Sequence, residues 1–342
     1  MIGSFYDVYT LFTKYTIEKF FNQIKIVSGY ILSKLSGRVF HWGMPLSLSI
    51  EPTTSCNLRC PQCPSGLRSF SRPTGMLNLD FYKSVIDELH RKLFYLIFYF
   101  QGEPYLHPHF FELVKYASSH NIYTATSTNA HFLNDEKAHK TITSGLSRLI
   151  ISIDGTSQDT YQNYRVGGKL DKVIEGTENI IKWKKKLNSK SPYIIFQFLV
   201  VKQNEHQVDE IKKMGKKLGV DKVVIKTAQI YDFENGNDLI PTNNKYSRYK
   251  KGGEGNFKIK NKLLNHCWKL WNSSVITWDG KVVPCCFDKD ATYKMGDLNN
   301  QTFAQVWKSQ PYFNFRKKIL NSRKEIDICQ NCTEGTSIWA KD

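Results

Sequence analysis

The chain has 342 residues, 41% apolar and 23% charged, the balance of a globular protein with room for one large domain and an appendage. Lysine and arginine outnumber acids 48 to 31, a formal +17, so an acidic partner is expected: a nucleotide, a phospholipid surface, an acidic peptide or an acidic electron carrier. The longest apolar run, residues 93–100, is far too short to cross a bilayer, and the first ten residues carry Asp7 where a secretory leader would be basic and then apolar. Disulfides are therefore the weaker reading of the cysteines, and the chain is placed in the cytoplasm.

Apolar residues recur at helical spacing from residue 5 to 35: Phe5, Val8, Tyr9 and Phe12, then Ile17, Phe20, Phe21, Ile24, Val27, Ile31 and Leu35. Lys14, Lys19, Lys25 and Lys34 fill the other faces. Two helices with a break at Gly29 are expected. Such a stripe ordinarily packs on its own domain. A basic amphipathic helix also suits an anionic membrane surface, so peripheral membrane association is the alternative.

From residue 46, strand and helix patterns alternate. Strands are expected at 46–50, 94–100, 122–127, 148–153, 193–201 and 222–227. Helices are expected at 79–93, 110–119, 135–144, 170–186 and 205–218. This order predicts a parallel sheet, open or partly closed as a barrel, with its chemistry at the carboxyl ends of the strands. Residues 232–262 are polar and turn-forming and read as a linker or a loop across the mouth of the site. Residues 263–342 form a small cysteine-bearing module.

The first strand runs into EPTTSCNLRCPQCPSG, residues 51–66, with Cys56, Cys60 and Cys63 on one loop. Structural zinc takes four protein ligands and an iron–sulfur cube has four irons, so three local thiols leave one position open. No histidine stands near enough in sequence to complete a zinc site; His90 lies in a helix pattern well downstream. Gly102-Glu103-Pro104, Ser127-Thr128-Asn129 and Asp154 all fall at expected strand ends. A non-catalytic zinc or iron–sulfur protein with an acidic or nucleic-acid partner is the rival reading. No interleaved basic and aromatic stripe of the single-strand-binding kind is present, so nucleic acid is disfavoured.

The CxxxCxxC loop and these strand ends resemble the radical S-adenosylmethionine (SAM) enzymes, and residues 45–231 resemble their partial (β/α)6 TIM-type barrel. The resemblance implies a [4Fe–4S] cluster on Cys56, Cys60 and Cys63, with SAM on the open iron. It implies that Gly102 and Glu103 hold the SAM amino group, with Gln101 in place of the family's first glycine. Ser127, Asn129, Ser152 and Asp154 would face the same cavity, and Arg165 would pair with the SAM carboxylate. Gln62 stands where the family often has an aromatic residue near adenine. Cys267, Cys285, Cys329 and Cys332 resemble the SPASM extension and imply one auxiliary [4Fe–4S] cluster, with Cys286 spare or exchanging with Cys285; zinc on four cysteines is the competitor. The expected activity is reductive cleavage of SAM to methionine and a 5′-deoxyadenosyl radical, and hydrogen abstraction from a peptide, protein or small molecule in a net oxidation. A reduced flavodoxin or ferredoxin would be the electron donor.

Overall fold

The computed structural model describes residues 2–336. The chain opens with α1 (Ile2–Thr13) and α2 (Ile17–Ser36). Thr16 caps α2, its side chain accepting from Lys19 N, and Gly37 ends it in the left-handed conformation at φ 69°. The break between the helices therefore falls at residues 14–16 and not at Gly29, which lies inside α2. Gly29 answers to close approach: a Cβ there would stand 2.9 Å from the carbonyl oxygen of Phe40. The packing expectation fails for most of the stripe. Ile26 and Tyr30 are buried, but Phe5, Phe12, Ile17 and Leu35 are 68%, 72%, 76% and 77% exposed.

The alternating units follow: β1 (Ser47–Ile50), the short α3 (Pro64–Leu67), α4 (Leu79–Leu89), β2 (Tyr95–Ile97), α5 (Phe110–Ser119), β3 (Tyr123–Thr128), α6 (Asp135–Thr143), β4 (Arg148–Ser152), α7 (Gln158–Tyr164), α8 (Leu170–Lys186), β5 (Tyr193–Val200), α9 (Val208–Leu218) and β6 (Lys222–Thr227). Strands β1 to β6 are parallel neighbours in chain order. The inner strands are buried on both faces, as β3 and β5 show, because helices cover the sheet on the outside. Helix α4 stops at Leu89 rather than 93, since Lys92 N and Leu93 N both turn back to the Leu89 carbonyl. Strand β2 is shorter than its apolar run, although Phe98 N still reaches the Ala125 carbonyl.

Within residues 232–262 the chain forms an antiparallel ribbon of β7 (Tyr249–Lys251) and β8 (Phe257–Ile259). Then come α10 (Lys269–Asn272), β9 (Ser273–Ile276), β10 (Lys281–Val283), β11 (Gly296–Asp297), α11 (Phe303–Trp307), α12 (Gln310–Ser322) and α13 (Asp327–Gln330). Asp279-Gly280 turns the chain between β9 and β10, a hairpin with Val282 opposite Ile276 and Gly280 at φ 83°. Strand β9 pairs in parallel with β1, Ser47 opposite Ser273, so one nine-stranded sheet runs from β11 through β1 to β6. The cysteine-bearing module thus shares backbone hydrogen bonds with the strand that feeds the cysteine loop.

Candidate functional site

The cysteine loop is fixed from several sides. Leu58, 2% exposed, pins it to an apolar cluster that includes Cys60, Tyr164, Val201 and Ile230. Arg59 N donates to the Val166 carbonyl at 2.9 Å. Cys63 is the residue before α3, whose Gly66 lies against Cys60: a Cβ on it would meet Cys60 N at 2.6 Å. Gln62 Oε1 accepts from Tyr231 N at 2.9 Å, so the position that lacks an aromatic side chain ties the loop to the segment after β6.

The turn after β2 is stitched onto this loop. Glu103 N donates to the Ser55 carbonyl and Gly102 N to Ser65 Oγ, both at 2.8 Å. Gly102 has φ +74°, and a Cβ there would stand 2.2 Å from the Thr53 carbonyl oxygen, so no other residue fits. The Glu103 carboxylate, 2% exposed, accepts from Thr128 Oγ1 at 2.7 Å, Asn129 N at 2.8 Å and Tyr105 N at 3.3 Å. Burial raises its pKa, and these donors oppose the rise. A carboxylate has about four acceptor sites, so one remains.

Asn129 Nδ2 donates to Asn57 Oδ1 at 2.7 Å and stands 4.0 Å from Cys56 Sγ. Ser127 Oγ and Ser152 Oγ, on adjacent strands, lie 3.3 Å apart. Asp154 is fully buried; Oδ1 accepts from Leu199 N at 2.7 Å and Oδ2 from Arg165 Nε at 2.5 Å. Arg165 Nη1 then points to Cys60 Sγ at 3.7 Å. The structure therefore gathers Cys56, Asn129 and Glu103 in one set of contacts and Cys60, Arg165 and Asp154 in another, joined through the cysteine loop, where Cys63 Sγ stands 3.9 Å from Gln101 Oε1. Ser127 and Ser152 form a separate pair in the same row of strands.

Three participants escaped the sequence reading, and a fourth, Thr128, figures there at a strand end without a role. Thr128, Ser65 and Asn57 hold Glu103, Gly102 and Asn129 respectively. Tyr161, beside Arg165 and Cys60, has a buried hydroxyl with no hydrogen-bond partner among the described residues. Only Thr128 had a signal, its place at the end of a strand between two singled-out residues.

In the C-terminal module Cys329 and Cys332 are each 7% exposed, Cys267 and Cys285 half-buried, and Cys286 exposed. Fully buried Arg323 reaches Cys332 Sγ at 3.5 Å with Nη2 and the His266 carbonyl at 2.8 Å with Nη1. The chain folds back over Cys267, to whose Sγ a Cβ on Gly335 would come within 2.3 Å. Burial pushes the Cys329 thiol up to about 12 and Cys332 to about 11, with Arg323 opposing both.

Among the described residues no three His, Cys, Asp or Glu side chains stand close enough to share one ion. A four-iron cube is larger than an ion and takes its thiolates from further apart. The donor chemistry fits such a group at both places: thiols only, buried or half-buried, each set attended by an arginine. At the first, the unpartnered Tyr161 hydroxyl and the spare acceptor site on Glu103 leave polar capacity for a small ligand.

A parallel α/β enzyme fold with two cysteine-lined sites is what the geometry defines. The sequence profile of the Radical SAM superfamily matches residues 50–215, and that of an iron–sulfur cluster-binding domain, SPASM, matches residues 267–333. The AdoMet-dependent heme synthase of Methanosarcina barkeri is 30% identical over 322 residues, spanning 84% of this chain and 88% of that one. The tungsten-containing aldehyde ferredoxin oxidoreductase cofactor-modifying protein of Pyrococcus furiosus is 26% identical over 318 residues, 84% and 86% of the two chains. Streptococcus suis SuiB, solved with its precursor peptide SuiA, shares the fold with a TM-score of 0.62 at 13% identity, over 90% of this chain and 74% of that one. The chain belongs to the radical SAM superfamily and carries a SPASM domain; it is an enzyme that uses a [4Fe–4S] cluster with SAM, and auxiliary iron–sulfur binding goes with its second domain.

Proposed function

We propose that Cys56, Cys60 and Cys63 hold the SAM-binding cluster, that Cys267, Cys285, Cys329 and Cys332 hold one auxiliary [4Fe–4S] cluster, and that the enzyme oxidatively modifies a peptide or protein segment. The observation that carries the first assignment is that Cys56 stands beside Asn129, whose N–H donates to Glu103, and Cys60 beside Arg165, on the one loop that also carries Cys63 at the strand ends. When bound, the reduced cluster supplies the electron that splits SAM into methionine and a 5′-deoxyadenosyl radical, which takes a hydrogen atom from the substrate.

The chain's own residues bind, orient and exclude water. Glu103 offers its remaining acceptor site to an ammonium group. Arg165, held at Nε by Asp154, presents the other nitrogens of its fork to a carboxylate, a planar match that an ammonium side chain lacks. Ser127 and Ser152 offer hydroxyls to the polar remainder of the ligand. Buried Leu58 and Tyr164 close the cavity to water behind the loop.

The peptide reading is supported by a cleft of about 830 Å³. Phe233, Phe257, Phe287 and Ile328 line it together with Tyr231 and Asn331, and Asn331 Nδ2 donates to the carbonyl of Ile230, the neighbour of Tyr231, at 2.7 Å. Tyr231 N donates to Gln62 of the cysteine loop, and Asn331 lies between Cys329 and Cys332 in sequence, so the cleft is lined by residues that adjoin both cysteine sets. A cofactor-sized substrate is the second reading, favoured by the names of the Methanosarcina and Pyrococcus relatives. The donor is a reduced flavodoxin or ferredoxin, an acidic partner for a chain of +17.

The test is anaerobic reconstitution with iron and sulfide, reduction with dithionite, and mass-spectrometric assay of 5′-deoxyadenosine beside a Cys56/Cys60/Cys63→Ala variant. The reading expects about eight irons per chain and product only from the unmutated protein. Zinc in place of iron, and no cleavage, would overturn it.

A further inference from the structure

Most of the large apolar side chains left exposed lie within the first 42 residues. On α1 they are Phe5, Val8, Tyr9 and Phe12, spaced as one helix face. On α2 the face of Ile17, Phe20, Phe21 and Ile24 continues to Ile31 and Leu35, again exposed. The opposite face of α2 is the one that packs inward, through Ile26, Tyr30 and Asn22. Helix α2 thus has two apolar faces and only one covered by the described residues.

The rim of the open face is basic. Lys25 and Lys34 are exposed and, at 3.6 residues per turn, fall on opposite margins of the α2 stripe, with exposed Arg38 just past its end. The nearby acids are already engaged. Glu18 pairs with Arg91 and Lys92, and Asp7 turns inward to Arg148 at 2.5 Å and to the Tyr123 hydroxyl. The five exposed aromatic rings of α1 and α2 alone present on the order of 600 Å² at ~200 Å² per ring, at the top of the range for the largest patch on a monomer before the aliphatic side chains are added.

We propose that this α1–α2 face is an interfacial anchor that lays the enzyme on an anionic membrane surface. Apolar side chains enter the acyl boundary while the lysines at both margins extend to acidic headgroups. No helix among the described residues is long and apolar enough to cross a membrane, so the helices lie in the surface. A second copy of the chain fits less well: a two-fold interface would bring the same basic rim against itself on two chains of +17 each. The anchor also fixes an orientation. Asp7 closes on Tyr123 and Arg148, the first residues of β3 and β4, whereas the cysteine loop meets the other ends of those strands, through Asn57 with Asn129 and through Cys60 with the Arg165–Asp154 pair. The docked enzyme opens its site away from the lipid, toward a substrate that stands off the membrane.

The test needs neither cluster nor SAM turnover, so it stands apart from the radical reading. Full-length protein is mixed with vesicles of three parts phosphatidylcholine to one part phosphatidylglycerol and floated on a density gradient. Flotation is expected with these vesicles, weaker with phosphatidylcholine alone, and reduced by salt. Phe12→Ser/Phe21→Ser/Leu35→Ser should lower binding more than about tenfold with an unchanged melting temperature. Lys25→Gln/Lys34→Gln, which keeps every apolar group, should lose only the preference for the anionic vesicles. Absence of flotation with the anionic vesicles would overturn the proposal. So would a wild-type dimer in sedimentation that the apolar variant converts to monomer without wild-type vesicle binding.

Discussion

Asp154 holds Arg165 by a single nitrogen, Oδ2 accepting from Nε at 2.5 Å, and leaves the far end of the fork 3.7 Å from Cys60 Sγ. Asp154 is fully buried and its other oxygen is taken by Leu199 N, so it acts on the site through Arg165. Asp154→Asn keeps the volume and removes the charge. Partners one step from a metal site are typically worth 10–100-fold in affinity or activity, so SAM affinity should fall by about that factor. Iron content should stay at the wild-type level, as checked by equilibrium SAM binding beside iron analysis. Equal loss of iron and SAM binding would instead mark Asp154 as a residue of the fold. Arg165→Lys should fall in the same direction, since a lysine cannot hold Asp154 and a carboxylate in one plane.

The thiols should load in a pH-dependent way. Burial pushes Cys56 up to about 12, and the Glu103 charge adds to the rise. A raised thiol is neutral near pH 7, but the metal ligand is the thiolate. Loading must therefore expel protons, and apparent iron affinity should increase with pH by about tenfold per unit for each proton released. Proton release on reconstitution, followed with an indicator dye in weak buffer, checks the sign. Iron uptake independent of pH would show the thiols already ionised, against the burial argument.

The parallel sheet was legible because apolar runs and amphipathic helices alternate at regular intervals, and the cysteine loop because its spacing is local. Asp154 and Arg165 were legible as site members but not as partners, since a strand end and the end of α7 meet only in three dimensions. Nothing in the sequence says that β9 adds to the free edge of β1; the cysteines mark the module, and backbone pairing places it. The stripe on α1 and α2 shows which residues share a face, and periodicity carries no information about what covers that face. That is why the packing expectation failed at Phe12 and Leu35 while Val27, of the same stripe, is partly buried against the core.

Glu51 opens the cysteine loop and is fully buried, and Arg72 meets it with two hydrogen bonds of 2.6 and 2.8 Å. Trp278 N also donates to Glu51, and Arg72 Nε reaches the Lys289 carbonyl, so the pair clamps the C-terminal module onto the loop. Removing one member leaves a buried charge alone, which typically costs about 3–5 kcal/mol. Arg72→Met should lose about that much in urea unfolding, and Glu51→Gln/Arg72→Met should regain part of it. An Arg72→Met loss under about 1 kcal/mol would mean that water reaches Glu51 and that the clamp is weak.

The adjacent cysteines of the C-terminal module differ in surroundings. Cys285 is half-buried and its thiol, raised well above the ordinary value by burial, is raised further by the charges of Cys286, Cys332 and Cys267. Cys286 is exposed. A cluster ligand has to face the other ligands and be shielded from water, and Cys285, acted on by Cys332 and Cys267 and less exposed than Cys286, meets both conditions better. Cys285→Ser should therefore lose about four of about eight irons, while Cys286→Ser keeps them all. Iron counts with electron paramagnetic resonance of the reduced protein would separate the two clusters. Loss of the auxiliary signal in Cys286→Ser alone would reverse the assignment, and partial loss in both would mean that the two thiols exchange on one iron.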